Sequence, residues 1–261
     1  MATLAALWRR HAHLGGLIWT LVRTDFKIRY HGTLAGFLWA LLKPLSMLAV
    51  LATVFSLIFT SDPNYRLNLI VGLFLWDFFA EASKVGLLSL YAKGYLLSKS
   101  RFPRWIVVVT SGSSALVTLG VFSTALLGLL VVQGHPLRIA GVALYLLYVL
   151  QLFLIVVGFS LGASVLFLRY RDLNQVWEVI THAGFFVTPI VYPLGILPER
   201  LHFYLYLWPP TPVIQFARMV LVEGVVPSAR AHLLLLAVTL ASFSGGVLLF
   251  RQLAPTAVEH L

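Results

Sequence analysis

Three ionisable residues stand inside a long apolar run: Asp77, Glu81 and Lys84, spaced at i, i+4 and i+7. That spacing puts them on one helical face. Each ion costs roughly 2.5–3.5 kcal/mol at the centre of a membrane-spanning helix. They are therefore expected to partner one another, with that face turned to protein or water. Other chemistry is hard to find. No G-x-x-x-x-G-K-[ST] phosphate loop occurs, so nucleotide hydrolysis is not expected of this chain. The eight histidines show no H-E-x-x-H spacing, and zero cysteines exclude thiol catalysis, disulfides and zinc–thiolate sites. No catalytic residue, metal site or bound cofactor is expected.

Aromatic residues surround the charged face. Trp76, Phe78 and Phe79 flank Asp77, and Phe185, Phe186 and Tyr192 gather at the end of a later apolar run. Two readings stand: an interfacial belt facing lipid, or a pathway on whose rings sugars stack while their hydroxyls stay wet.

The elements that hold these residues must be membrane helices. Of 261 residues, 60% are hydrophobic and 11% charged, with a mean hydropathy of +0.92. Soluble domains are usually about 25% charged. The fold class expected is an all-α integral membrane protein with about six transmembrane helices. The spans are placed near 34–60, 67–90, 105–132, 139–168, 175–192 and 231–250, in one domain over 34–254, each long enough to cross the hydrocarbon or nearly so. Lys43-Pro44 predicts a kink or a snorkelling lysine in the first. Gly158-x-x-x-Gly162 predicts close helix packing.

Ahead of the spans, Arg9, His13, Gly16, Thr20, Arg23 and Lys27 draw a polar stripe opposite Leu14, Ile18 and Leu21. This predicts an amphipathic interface helix within a cytoplasmic segment 1–33. No apolar signal-peptide core follows the basic start. Residues 193–230 hold six prolines yet stay hydrophobic. Two short re-entrant half-helices on the external side, ahead of the last span, fit that composition. Residues 255–261 form a cytoplasmic tail.

The formal net charge of +10 raises nucleic acid as a partner, but its distribution argues for membrane lipids and no nucleic acid. Thirteen of nineteen Lys/Arg fall in the segments read as cytoplasmic, including the loop 91–104. Lys84 sits within a span, and Arg66, Arg138, Arg200, Arg218 and Arg230 are read as external. Both termini are thus expected inside.

A set of motifs, in order, resembles the permeases of polysaccharide-exporting ABC transporters, the membrane subunits for O-antigen, capsule and teichoic acid export. It starts with Arg23-Thr24-Asp25-Phe26-Lys27-Ile28-Arg29-Tyr30, then Gly32, Gly36-Phe37-Leu38-Trp39 and Lys43-Pro44. Gly72 through Trp76-Asp77-Phe78-Phe79, the run Lys99–Pro103, and Arg171-Asp172-Leu173 follow. Thr188-Pro189-Ile190-Val191-Tyr192-Pro193 and Pro209 with Arg218 and Glu223-Gly224 complete it. Trp208 and Asp77 depart from the family pattern.

The resemblance implies a permease pairing with a second copy of itself and with a cytoplasmic ABC ATPase dimer that carries ATP and Mg. The substrate implied is a lipid-linked glycan crossing the bacterial inner membrane. It also implies a coupling helix in the 91–104 loop, with Leu96, Leu97 and Phe102 as apolar contacts and Lys99 and Arg101 meeting acidic groups. The interface helix would contribute Arg23, Asp25, Lys27 and Arg29. The pathway would draw on Trp39, Trp76, Asp77, Phe78, Phe79, Glu81, Lys84, Phe185, Phe186 and Tyr192. Rival readings are a drug or lipid ABC permease and a secondary transporter; the latter often shows matched internal repeats, which this chain lacks.

Overall fold

The computed structural model describes residues 2–30, 36–59, 62–99, 103–135 and 137–255, with the side chains of 2–13 and of Ser98 excepted. Every regular element among them is helical. In chain order these are α1 (Ala2–Tyr30), α2 (Leu38–Ser56), α3 (Tyr65–Ala92), α4 (Gly94–Lys99), α5 (Arg104–Ser111) and α6 (Ser113–Val132). Then come α7 (Ile139–Arg169), α8 (Leu173–Val187), α9 (Glu199–Leu207), α10 (Pro210–Arg218) and α11 (Ala229–Leu253).

Four helical stretches are long and apolar enough to cross a membrane: Leu38–Ser56, Arg104–Val132, Ile139–Arg169 and Ala229–Leu253. With the family match reported below, they mark a membrane protein. The other two expected spans fall short for different reasons. α3 has 28 residues, about 42 Å of helix, but carries Asp77, Glu81 and Lys84. α8 has 15 residues and stops at Val187, before the predicted end at 192. Beyond it the chain turns, and the Tyr192 hydroxyl donates to the carbonyls of Phe186 (3.1 Å) and Val187 (2.9 Å). Two orphan acceptors at the helix end are thereby satisfied.

The span predicted over 105–132 is two helices meeting at Gly112. Thr110 Oγ1 donates back to the Ile106 carbonyl and Ser111 Oγ to that of Val108. Such back-bonding competes with the helical ladder just where it stops. α2, in contrast, runs as one helix through Pro44. The start of the first predicted span and most of the tail lie outside the described residues.

α3 is the axis of the molecule. Its buried residues run from Tyr65 to Leu90, and α2, α5, α6, α7, α8 and α10 pack around it. α7 and α11 approach backbone to backbone: a Cβ on Gly246 would lie 1.7 Å from the Gly158 carbonyl oxygen. The glycine at 158 is there for packing. α1 lies against α5 and α6, with Leu21 buried. Between α8 and α11, α9 buries no residue whereas α10 buries all nine of its own. A wide turn, Met219–Glu223, extends α10 and ends at Gly224, whose φ of 66° suits glycine.

Candidate translocation face and its anchors

The charged face of α3 is satisfied by other helices. Glu81 pairs with Arg29 at the end of α1, and Lys84 pairs with Glu178 of α8. Arg29 also donates to Ser114 Oγ at 2.8 Å. The expectation that Asp77, Glu81 and Lys84 partner one another is therefore corrected. Asp77 and Glu81 are like charges that repel at i and i+4, and Glu81 and Lys84 each find an opposite charge on α1 or α8 instead. Asp77 lines a cavity of about 280 Å³ between the α1–α2 elbow, α3 and α6. Trp39, Lys43, Phe78 and Thr118 are further parts of its wall.

α1 divides its polar residues by face. Asp25 turns inward, where Lys93 pairs with it and both side chains are about one-fifth exposed, and Arg29 reaches Glu81 from a position 36% exposed. Arg23 and Lys27 remain exposed. One motif thus serves two surfaces, one fixed to α3 and one open.

Beyond the ions lies a connected group of rings. Trp76 neighbours Phe79, Phe185 and Trp208 at centroid distances of 5.5, 6.0 and 6.5 Å. Phe79 and Trp208 both neighbour Trp177, which stacks on Phe159 at 4.0 Å. Trp177 Nε1 donates to Ser83 Oγ at 3.0 Å, fixing the indole to α3. Phe186 points out, 72% exposed.

In the short helix α4, Leu96 and Leu97 part company. Leu97 packs on the buried cluster containing Val107, Val108 and Leu161, while Leu96 is exposed. Lys99 Nζ lies 4.5 Å from the Tyr95 ring centroid. Arg101 and Phe102 lie outside the described residues.

Sequence reasoning missed four residues. Trp177, Trp208 and Glu178 complete the site. Glu178 was open to the same argument as Lys84, since an ion in an apolar run needs a partner. The fourth, Arg218, was counted only as an external charge, and the structure adds that it is buried. It is 5% exposed. Its Nε donates to the Asn68 carbonyl (2.8 Å), Nη1 to Pro189 (2.6 Å) and Nη2 to Ile190 (2.8 Å). The guanidinium occupies the space beside Gly72, where a Cβ would come within 2.5 Å of Nη2. α10, the 188–193 turn and the first turns of α3 are thereby tied together. A cavity of about 300 Å³ beside it is lined in part by Asp62, Tyr192, Tyr206 and Glu223.

Comparison with known proteins places this arrangement. The chain is 29% identical over 200 residues to an O-antigen export system permease protein RfbA of Klebsiella pneumoniae, covering 72% of this chain and 73% of that one. A second Klebsiella pneumoniae RfbA aligns at 27% identity over 82% of this chain and 83% of its own. An O-antigen export permease of Myxococcus xanthus aligns at 28% over 71% of each. Residues 16–222 match the ABC-2 type transporter family, from the inward face of α1 through the Arg218 anchor, and the chain belongs to that family.

Proposed function

We propose that this chain is the permease subunit of an exporter that moves a lipid-linked surface polysaccharide of the O-antigen kind across a bacterial inner membrane. The observation that carries this reading is the alignment with O-antigen export permeases over 71–83% of both chains. The site is of the right kind. A polar, ion-paired face of α3 beside stacked aromatic rings suits a ligand that is hydroxylated at its edges and apolar on its ring faces. A drug or lipid permease has less use for such a wall.

A separate ABC ATPase supplies the energy, engaging the exposed faces of α1 and α4, and two permease copies enclose the passage. In this reading α3 and α8 are the remaining two of six spans. The charges of α3 face ion partners and the cavity, and α8 with the 188–193 turn reaches the outer leaflet. α9 and α10 are the external half-helices, and both termini are cytoplasmic. In this cysteine-free chain, a cysteine replacing Glu199 is expected to react with an impermeant maleimide in intact cells, and one replacing Arg169 only after lysis. The reverse order overturns the topology.

The function itself is tested by deleting the gene and analysing surface sugars. Loss of long-chain glycan from the surface, its build-up inside, and recovery on complementation are expected. An unchanged surface glycan with altered drug or lipid efflux favours the rival.

A further inference from the structure

A third cavity, of about 470 Å³, lies between α3, α7, α8 and α11. Its lining is almost wholly apolar, from Phe79 and Phe159 through Val176 and Ile180 to Leu249, with Gly158, Gly162, Gly245 and Gly246 along its floor. The glycines that draw α7 and α11 together leave a trench where longer side chains would stand. It sits in the halves of these helices nearer Ala92, Arg169 and Leu253. In the topology above, that is the cytoplasmic leaflet.

We propose that this trench holds the hydrocarbon tail of the lipid-linked substrate, an inference that rests on the export function above. Two features fix the occupant. First, Phe79, Trp177 and Trp208 line the trench and also belong to the ring cluster that continues to Trp76 and Phe185. A single aromatic wall therefore separates the trench from the candidate pathway, which puts the head of a tail-bound lipid beside the route its glycan takes. Bulk phospholipid has no reason to be held at that wall. Second, Arg169 is one turn beyond Leu166 on the same face of α7, exposed at the trench's inner end. Arg171 is exposed two residues further on. Guanidinium groups at that level suit the phosphates of a lipid carrier.

Gly245 makes the trench testable, because a Cβ there meets nothing within 4 Å. Gly245→Phe fills the space without forcing helices apart, and Gly245→Ala is the control. In the assembled transporter in cells, Gly245→Phe is expected to reach the membrane at normal level and lose export, while Gly245→Ala exports normally. Normal export by Gly245→Phe overturns the proposal. An independent readout uses a photoreactive benzoylphenylalanine in place of Ile180. After irradiation and purification, mass spectrometry of the captured species is expected to show a polyprenyl (pyro)phosphate, and Gly245→Phe to remove it. Capture of phospholipid acyl chains, or of no lipid, overturns the proposal even if Gly245→Phe fails to accumulate. Should deletion of the gene leave surface glycan unchanged, the export function fails instead, whatever lipid is captured.

Discussion

The two ends of α3 hold charge in opposite ways. Near its Tyr65 end, the outer one in the proposed topology, one cation, Arg218, is buried and bonded to backbone carbonyls. Toward its inner end three ion pairs fasten α3 and the residue just past it to α1 and α8, with side chains 19–44% exposed. A guanidinium saturated by carbonyls has no second arrangement of similar energy, because moving it strands several buried acceptors at once. Half-wet pairs lose little when they part, since water replaces the partner. The outer end is built to stay and the inner end to change.

Breaking the outer anchor gives the largest effect. Arg218→Met removes the donor to the Ile190 carbonyl, at a cost of about 1–3 kcal/mol for a stranded buried acceptor, and leaves the carbonyls of Pro189 and Asn68 to Gln215 Nε2 and the helical ladder alone. The variant is expected not to accumulate in membranes, and Arg218→Lys not to rescue it, because an ammonium cannot reach all three oxygens. Accumulation and melting of the detergent-solubilised protein decide this; a normal melt for Arg218→Met dissolves the contrast. Gly72→Ala drives a methyl into the guanidinium and is expected to cost about 1–3 kcal/mol by overpacking.

The inner pairs respond more gently, and in graded order. Asp25→Asn removes the partner of Lys93 in the least exposed pair and is expected to have the largest effect of the three. Breaking the half-wet Lys84–Glu178 pair is expected to change stability least, since water replaces either partner. Arg29→Glu and Glu81→Arg each lower export, while the double reversal recovers part of it. A double-mutant cycle on melting and export measures the coupling, and absence of any recovery removes the pair from the mechanism.

The smallest structural effect is expected at α4. Leu96→Asp changes an exposed side chain, so melting stays put while ATPase co-purification is lost. Leu97→Asp inserts a charge into a packed cluster and lowers melting as well. If Leu96→Asp keeps its ATPase, α4 is not the docking element.

Most of the helices could be read from the chain because their signals are local. Long apolar runs marked α2, α6, α7 and α11, that of α2 despite Lys43-Pro44, and prolines marked the broken stretch around α9 and α10. The motif around Asp25 and Arg29 flagged two residues that the fold brings to α3. Side-chain destinations were less legible. An arginine in a proline-rich external stretch looks like a solvated charge, and only the return of the 188–193 turn past α3 buries Arg218. Helical spacing suggested pairing within α3 because it sees one helix at a time, and so missed Glu178. Leu96 and Leu97 are adjacent and alike, and their opposite fates depend on α5 and α7. The break at Gly112 was marked by Thr110 and Ser111, but an apolar run of that length masks it.

An immobile outer anchor and yielding inner ties make α3 a lever. From Ile70, near the Arg218 anchor, to Lys93 the axis covers about 35 Å at 1.5 Å per residue. If the rod tilts about its anchored end, each degree carries the inner end about 0.6 Å sideways while the outer turns stay nearly still. Small rotations at the level of Asn68 therefore translate into larger displacements at Glu81, Lys84 and Lys93, the residues through which α1 and α8 are tied to α3, against the packing of the buried Leu87 and Leu90.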